Sequence, residues 1–334
     1  MIINKLDSIE FRLKELHDFT WLKKYGTAFW VVDETGSGCI CIGMEDAERK
    51  YFCKIAGVNT VEAEVSPEES VKILKEAVHL YYDLAHPNLT KIIEEYDYNQ
   101  FYVVVFEWAD GECLFDHWNF ETYQRDIGIK SPKEKFKELP VSKKLKAIEV
   151  LNSFLQNVKQ KGYVAVDFYD GSIMYDFSTD VTTICDIDLF KKAPVINDKG
   201  VDWFGTKRLK APEEYIEGCA IDEQTNIFTL GALIFEFFGR FSDEEIHQRY
   251  CNNQFIPCTL PNWQLSEESY QVATKAVSLN KSERYLTFAE FWYEWKAANS
   301  SLPKYISNFP YFTGFPACAL AKRYVFSLIF ALMR

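Results

Sequence analysis

Two acidic residues carry the strongest chemical signal in this sequence. Asp167 ends the segment Gly-Tyr-Val-Ala-Val-Asp, and Asp186 ends the segment Thr-Thr-Ile-Cys-Asp. Each acid follows a short apolar run, which is typical of a strand or loop that delivers a carboxylate at its end. One carboxylate can then position a nucleophile while the other holds a divalent metal. Phosphoryl transfer requires this division, because its catalysis consists mostly of positioning and neutralisation of phosphate charge.

Further segments stand around these two acids in a fixed order. Lys54 follows Tyr-Phe-Cys, and an Ala-Pro-Glu triplet ends at Glu213. The segments are residues 50–55, 86–89, 101–109, 205–213, 225–238 and 280–284. In this order the chain resembles a eukaryotic-type protein kinase of the serine/threonine kind. The resemblance implies an α+β, bilobal protein-kinase-like fold, with a small antiparallel β lobe that carries one helix and a larger, mainly helical lobe.

The resemblance implies that residues of the small lobe bind ATP. Lys54 stands where such kinases place the strand lysine that holds the α- and β-phosphates. Gly36 and Gly38 stand for the glycine-rich loop over the phosphates, although the family pattern has a third glycine. Residues 101–109 resemble the fifth strand and the hinge. The backbones of Glu107 and Ala109 are therefore expected to face the adenine.

An amphipathic helix is predicted to begin after Ser66. Ser66 is a favoured N-cap residue, Pro67 suits the first helical position, and Glu69 lies three residues after the cap. The stripe on one face of this helix consists of Ile73, Glu76, Leu80 and Leu84. The resemblance therefore implies that Glu76 is the ion-pair partner of Lys54.

The same resemblance assigns roles around the two acids. Asp186 and Ser172 would hold Mg²⁺, and Asp167 would accept or orient the substrate hydroxyl. Ser172 stands where the family has an asparagine, but a serine hydroxyl can also ligate magnesium. Two interpretations stay open for the neighbouring Asp170 and Asp188: a role toward metal or substrate, and local turn chemistry.

Several positions depart from the kinase pattern. Ala165 and Val166 stand where His and Arg are usual. Tyr169 replaces a lysine, and Phe52 replaces the small residue that roofs the adenine. The interpretation favoured by the ordered motifs is a weakly active, ATP-dependent phosphotransferase that acts on a Ser or Thr hydroxyl of a protein. The departures favour the alternative, a pseudokinase that senses nucleotide or binds a partner. A small-molecule kinase of the same fold is a third class, which the retained Ala-Pro-Glu segment disfavours.

Two features concern the predicted large lobe. The resemblance pairs Arg284 with Glu213. Residues 189–205 contain no Ser, Thr or Tyr, and Val166 replaces the arginine that would bind a phosphate on this loop. We therefore expect that loop phosphorylation does not control the protein, and that its active state is built in or set by a partner.

Composition is that of a folded enzyme. The chain has 334 residues, of which 48% are hydrophobic and 16% aromatic, enough for a two-lobed domain with a large core. A net charge of −12 gives no electrostatic basis for nucleic-acid binding, so the expected partner is a protein substrate or a regulatory protein. Nine scattered cysteines and no secretory pattern at the N-terminus indicate reduced thiols and a cytoplasmic location.

The predicted domain organisation has three parts. Residues 1–106 form the β-rich, nucleotide-binding small lobe, and residues 107–300 form the helical large lobe with the catalytic loop and the activation segment. Residues 301–334 form an apolar tail. Its uninterrupted apolar run is about ten residues, short of the ~20 that span a bilayer, so no transmembrane segment is expected. An added helix and a weak membrane-surface contact are the alternatives for this tail.

Overall fold

A computed structural model describes residues 1–115, 119–126 and 128–300. The predicted tail at residues 301–334 therefore lies outside the described residues. The β-strands are β1 (Ile2–Leu6), β2 (Ile9–Leu13), β3 (Thr27–Val32), β4 (Cys39–Glu45), β5 (Lys50–Ala56), β6 (Ile92–Tyr98), β7 (Phe101–Glu107), β8 (Glu112–Cys113), β9 (Tyr163–Val164), β10 (Ile173–Asp176), β11 (Val181–Ile184), β12 (Lys191–Lys192), β13 (Val195–Ile196) and β14 (Ala220–Ile221). The α-helices are α1 (Pro67–Asp83), α2 (Phe120–Arg125), α3 (Pro132–Lys137), α4 (Val141–Gln160), α5 (Glu223–Phe238), α6 (Asp243–Asn252), α7 (Glu267–Ala276) and α8 (Phe288–Asn299).

The chain divides into two compact units. The first unit contains Met1–Pro132 and Gly171–Phe190, and the second contains Lys133–Asp170 and the chain from Lys191 onward. The boundary predicted at residue 106 differs from this division. The reason is a three-stranded sheet, because β8 pairs with β10 and β10 pairs with β11. The β10–β11 hairpin therefore belongs to the first unit, although it follows the whole of α4 in the sequence.

The first unit contains a five-stranded antiparallel sheet in the order β3-β4-β5-β7-β6. Strand β7 reads Phe-Tyr-Val-Val-Val-Phe-Glu, a run of aromatic and β-branched residues that favours strand, and all of it except Glu107 is buried. In the central register, Lys54 of β5 lies opposite Cys41 of β4 and Val104 of β7. A mixed structure with a multi-stranded antiparallel sheet is compatible with the predicted α+β kinase-like fold.

Helix α1 begins as the sequence predicts. The Ser66 side chain accepts a hydrogen bond from the Glu69 backbone N–H at 3.2 Å, and Pro67 is the first helical residue. The buried residues of α1 are Ser70, Leu74, Ala77, Val78, Leu80 and Tyr81. The helix therefore packs along this face, and the opposite face, which includes Glu76, is exposed.

The second unit is organised around helix α5. Asp222 caps it by accepting hydrogen bonds from the backbone N–H groups of Gln224 and Thr225 at 3.0 and 3.4 Å. Every residue from Thr225 to Phe238 is buried, because α4, α7 and α8 all pack against this helix. The buried helix predicted at residues 225–238 is thereby confirmed. Each helix in the described parts of the chain is too short or too polar to cross a bilayer.

The predicted pair of Glu213 and Arg284 is also confirmed in the second unit. Arg284 binds both carboxylate oxygens of Glu213, with distances of 2.6 Å from Nη1 and 2.9 Å from Nη2. Both side chains are buried. Burial alone would raise the pKa of Glu213, but the hydrogen bonds and charge of Arg284 lower it below its usual value. Glu213 is therefore a carboxylate, and the pair anchors the segment that follows Ala211.

Candidate functional site

Lys54 is the centre of a charged group in the first unit. Its Nζ lies 3.1 Å from Oδ1 of Asp186 and 2.6 Å from Oδ2 of Asp188, although these acids stand more than a hundred residues later in the chain. Burial alone would lower the pKa of Lys54, but the charges of Asp186 and then Asp188 raise it well above its usual value. Lys54 is therefore a permanent cation beside two carboxylates.

The predicted ion pair between Lys54 and Glu76 is wrong. The Glu76 side chain is exposed on α1, and the acids that contact Lys54 are Asp186 and Asp188. The error is one of helical phase. Ala77, one residue later, is buried, and each residue turns the helix by about 100°. The predicted stripe correctly included buried Leu80 and Leu84, but it wrongly assigned Glu76 to the buried face of the helix.

Tyr81 is the residue through which α1 reaches this group. Its hydroxyl donates a hydrogen bond to Oδ1 of Asp188 at 2.8 Å and accepts one from the Ile187 backbone N–H at 3.3 Å. Burial, followed by the charge of Asp188, raises the pKa of Tyr81 well above its usual value. The phenol therefore stays protonated and keeps donating. We call Lys54, Tyr81, Asp186 and Asp188 the Lys54 cluster.

Ser172 lies next to the cluster at the end of the β10–β11 hairpin. The Cys185 backbone N–H donates to the Ser172 carbonyl at 2.9 Å, so Ser172 is held opposite the residue before Asp186. The Ser172 hydroxyl is fully buried and has no hydrogen-bond partner among the described residues. In the same described ranges, no group of three or more His, Cys, Asp or Glu side chains forms a metal site. The hairpin thus places the backbone of Ser172 beside the residue that precedes Asp186.

The loop with Gly36 and Gly38 is bonded to the segment that leads into α1. The Glu64 backbone N–H donates to the Gly36 carbonyl at 3.0 Å, and the Thr60 hydroxyl donates to the Thr35 carbonyl at 2.8 Å. Gly38 has φ of +71°, and a Cβ there would lie 3.1 Å from the Cβ of Ser70 on α1. Glycine at position 38 is therefore required by backbone conformation and close packing.

Aromatic rings line the sheet beside Lys54. Phe52 lies between Trp30 and Phe106, with ring centroids 5.9 and 6.0 Å apart, and Phe106 contacts the Tyr81 ring at 4.9 Å. Phe52 thus occupies space that a small residue would leave open. Glu107 ends β7, and its backbone N–H donates to the Lys91 carbonyl at 2.9 Å. Ala109 follows the strand. The adenine-facing role of residues 107 and 109 stays a prediction.

Asp167 belongs to the second unit. It is partly buried, with φ of +56°, a left-handed conformation that Asp adopts more readily than most residues. The loop before it is fixed by Asn226, whose side chain accepts from the Ala165 N–H at 2.9 Å and donates to the Ala165 carbonyl at 2.7 Å. Burial lowers the pKa of Lys210, and the charges of Glu214 and Asp167 offset part of this shift by raising it. Lys210 is therefore within electrostatic reach of Asp167.

A second charged group in the same unit has no counterpart in the sequence predictions. We call Lys133, Asp170, Arg208, Glu236 and Arg249 the buried ion network. Arg208 donates to Asp170, and Lys133 Nζ lies 3.3 Å from the other oxygen of Asp170. Glu236 contacts Lys133 and lies 2.6 Å from Nη1 of Arg249. Asp170 is completely buried and is bound by Arg208 and Lys133.

Comparison of the whole sequence with curated proteins finds distant relatives. The chain is similar to serine/threonine-protein kinase 1 of African swine fever virus. For the isolate Pig/Kenya/KEN-50/1950, the identity is 22% over 205 residues, which cover 59% of this chain and 60% of the relative. For the strain Badajoz 1971 Vero-adapted, it is 22% over 207 residues with the same shares. No family model matches the chain.

The chain thus spans about 60% of the length of the curated relatives it matches. At this identity the comparison shows a distant similarity to viral serine/threonine-protein kinases. The geometry adds a permanent cation beside two acids in the first unit and a fixed loop before Asp167 in the second. The sequence singled out Lys54, Asp186 and Asp167, whose roles stay predictions, but it gave no indication of Tyr81 as a contact of the cluster.

Proposed function

We propose that this protein is an ATP-dependent, protein-kinase-like phosphotransferase that transfers a γ-phosphate slowly to a Ser or Thr hydroxyl of a protein. The observation that carries the proposal is the contact between Lys54 and Asp186. A permanent cation can bind phosphate oxygens, and a neighbouring carboxylate that is 53% exposed can bind a metal. The distant similarity to viral serine/threonine-protein kinases supports the same class.

Two observations fit a nucleotide–magnesium complex. Asp186 is half exposed, and its contact with Lys54 uses one of its two oxygens. The buried Ser172 hydroxyl has no hydrogen-bond partner among the described residues, so it can serve as a further oxygen ligand. When bound, ATP would supply the phosphoryl group and Mg²⁺ would neutralise its charge.

The residues of the chain divide the remaining work. Lys54 would hold phosphate oxygens, while Asp186 and Ser172 would hold the metal. Asp167 would orient the hydroxyl of the substrate and accept its proton. Lys210, whose charge interacts with that of Asp167, would supply positive charge at the same place. Gly36 and Gly38 would let the backbone of their loop approach the phosphates. Because hydrogen bonds hold this loop to the protein, we expect it to bind the phosphates weakly.

The second candidate is a pseudokinase that binds nucleotide or a regulatory protein without transferring phosphate. The packing of Phe52 between Trp30 and Phe106 favours it, because a phenyl ring there narrows the space for an adenine. The loop of Gly36 favours it as well, since hydrogen bonds from Thr60 and Glu64 hold the loop to the protein.

One experiment separates the two candidates. The purified chain is incubated with radiolabelled ATP, Mg²⁺ and a degenerate Ser/Thr peptide library, beside Asp186→Ala and Asp167→Asn. We expect slow incorporation by the wild type, loss with both variants, and no incorporation in EDTA. Nucleotide binding is measured in parallel by calorimetry. Binding without incorporation would replace the kinase proposal with the pseudokinase, and absence of both would refute the nucleotide site.

A further inference from the structure

The two acids that contact Lys54 are held in different ways. Asp188 uses both oxygens, one toward Lys54 at 2.6 Å and one toward the Tyr81 hydroxyl at 2.8 Å, and its side chain is 12% exposed. The distance from Lys54 Nζ to Asp186 is longer, at 3.1 Å, and the Asp186 side chain is 53% exposed. Both oxygens of Asp188 are therefore used within the protein, whereas Asp186 remains accessible to a ligand from solution.

Helix α1 contributes a hydroxyl to this arrangement and no acid. Glu76 is exposed, while Tyr81 is buried and contacts both Asp188 and the Ile187 backbone. The Tyr81 ring also packs on Phe106 of β7. The tyrosine is thus fixed on its ring side by the sheet and on its hydroxyl side by residues 187 and 188. A shift of α1 would move the carboxylate that holds Lys54.

We propose that Asp188, supported by Tyr81, is the positioning residue for Lys54, in the role that the sequence assigned to Glu76. The inference rests on the proposed function, because it concerns the lysine that would hold the phosphates. A single acid cannot hold Lys54 and serve a metal equally well. With Asp188 bound to Lys54, Asp186 can turn to a metal while the lysine keeps one charged partner.

The first test needs no nucleotide. The native chain is treated briefly with an amine-acylating reagent at one fixed pH, and the rate of modification at Lys54 is followed by mass spectrometry, with exposed Lys91 as the internal reference. Asp188→Asn should speed modification of Lys54 several-fold, because it removes the charge that holds the ammonium. Tyr81→Phe should give a smaller increase. Glu76→Gln, the matched control on α1, should match the wild type.

The second test uses ATP turnover. Asp188→Asn should raise KM for ATP by about ten- to a hundred-fold, the usual effect of losing a hydrogen bond to a charged group. The Mg²⁺ concentration for half-maximal rate should stay unchanged. Asp186→Asn should instead raise that Mg²⁺ requirement. A variant that only loosened the fold would also speed the modification of buried Lys144, so this second lysine separates positioning from general destabilisation, while exposed Lys91 normalises for the reagent.

Two results would overturn the inference. One is an unchanged rate at Lys54 in Asp188→Asn; the other is a rate increase in Glu76→Gln equal to that in Asp188→Asn. The outcome is distinguishable from failure of the proposed function. A wild type without ATP turnover would refute the kinase, while the acylation rates would still decide which acid holds Lys54.

Discussion

The Lys54 cluster and the buried ion network use similar side chains but are built in opposite ways. The Lys54 cluster has one cation and two acids, and Asp186 is 53% exposed. The buried ion network has three cations and two acids, and Asp170 is completely closed to solvent. One group has a surplus of exposed negative charge, and the other has a surplus of buried positive charge.

Because of this difference, the Lys54 cluster can exchange ligands with the solution, whereas the buried ion network cannot. An exposed carboxylate is screened and can trade its partner for a metal at little cost. A buried carboxylate depends on its own cations, since loss of a partner leaves an uncompensated charge. Charge alone therefore does not distinguish the two groups, whereas exposure of the surplus charge does.

The largest expected effect is on the buried ion network. Burial alone would raise the pKa of Glu236, but the charges of Lys133, Arg208 and Arg249 lower it far below its usual value. Glu236→Gln leaves these three cations with only Asp170, so we expect a loss at the upper end of ~3–5 kcal/mol in the free energy of unfolding. Urea denaturation measures it. Asp186→Asn is the matched control, with an expected change below ~1 kcal/mol. Equal losses in the two variants would remove the distinction between the groups.

A smaller loss is expected at the pair of Glu213 and Arg284. Arg284→Ala removes the bidentate partner, but Glu213 keeps the Thr225 hydroxyl at 2.8 Å and Lys281 Nζ at 3.8 Å. We therefore expect a cost of about 3 kcal/mol, the lower end for a broken buried pair. The unfolding midpoint of Arg284→Ala, compared with Arg284→Lys, measures it. An unchanged midpoint would show that burial of this pair contributes no stability.

Glu214 extends the comparison to an acid buried with too little positive charge. Burial raises its pKa from 4.5 to about 8, against the Ala211 N–H and the charge of Lys210. Because the folded-state pKa lies above the unfolded one, this contribution to stability is complete below pH 4.5 and is lost as the pH rises through 8. The free energy of unfolding of Glu214→Gln should therefore rise relative to that of the wild type as the pH increases over this range. Melting temperatures of both proteins from pH 5 to 9 test it, and parallel curves would contradict it.

The smallest effect is expected from dephosphorylation. Residues 189–205 contain no hydroxyl side chain, and Arg208 of the following segment already bonds to buried Asp170. A built-in ion pair therefore holds this segment where other proteins could use a phosphate. Phosphatase treatment should leave ATP turnover unchanged. Loss of turnover, with mass spectrometry finding the removed phosphate on Thr206, would reverse this conclusion.

The sequence predicted those parts of the structure that depend on local signals. The Ser66 cap, the start of α1 at Pro67 and the buried run of α5 follow from residues that are neighbours in the chain. The pair of Glu213 with Arg284 followed from ordered motifs, whereas the contact of Lys54 with Asp186 was not predicted. For each predicted feature the pattern needed no exact knowledge of side-chain direction.

The misses depend on direction and on distant partners. Glu76 and Ala77 differ by one position, and only packing decides which of them faces the sheet. Tyr81 gave no sequence signal, because a tyrosine on an apolar face is most simply core. The buried ion network joins residues from five separate stretches between 133 and 249, so no local spacing reveals it.

The two hydrogen bonds of Asn226 hold residue 165 by its backbone alone. The Asn226 amide donates one N–H to the Ala165 carbonyl, and its oxygen accepts from the Ala165 N–H. This contact does not depend on the side chain of residue 165, because it involves only backbone atoms of that residue. A histidine can therefore be exchanged for alanine there while the peptide that leads to Asp167 keeps its anchor. The path of the chain into Asp167 is therefore set by Asn226 of helix α5 and does not depend on the side chain at position 165.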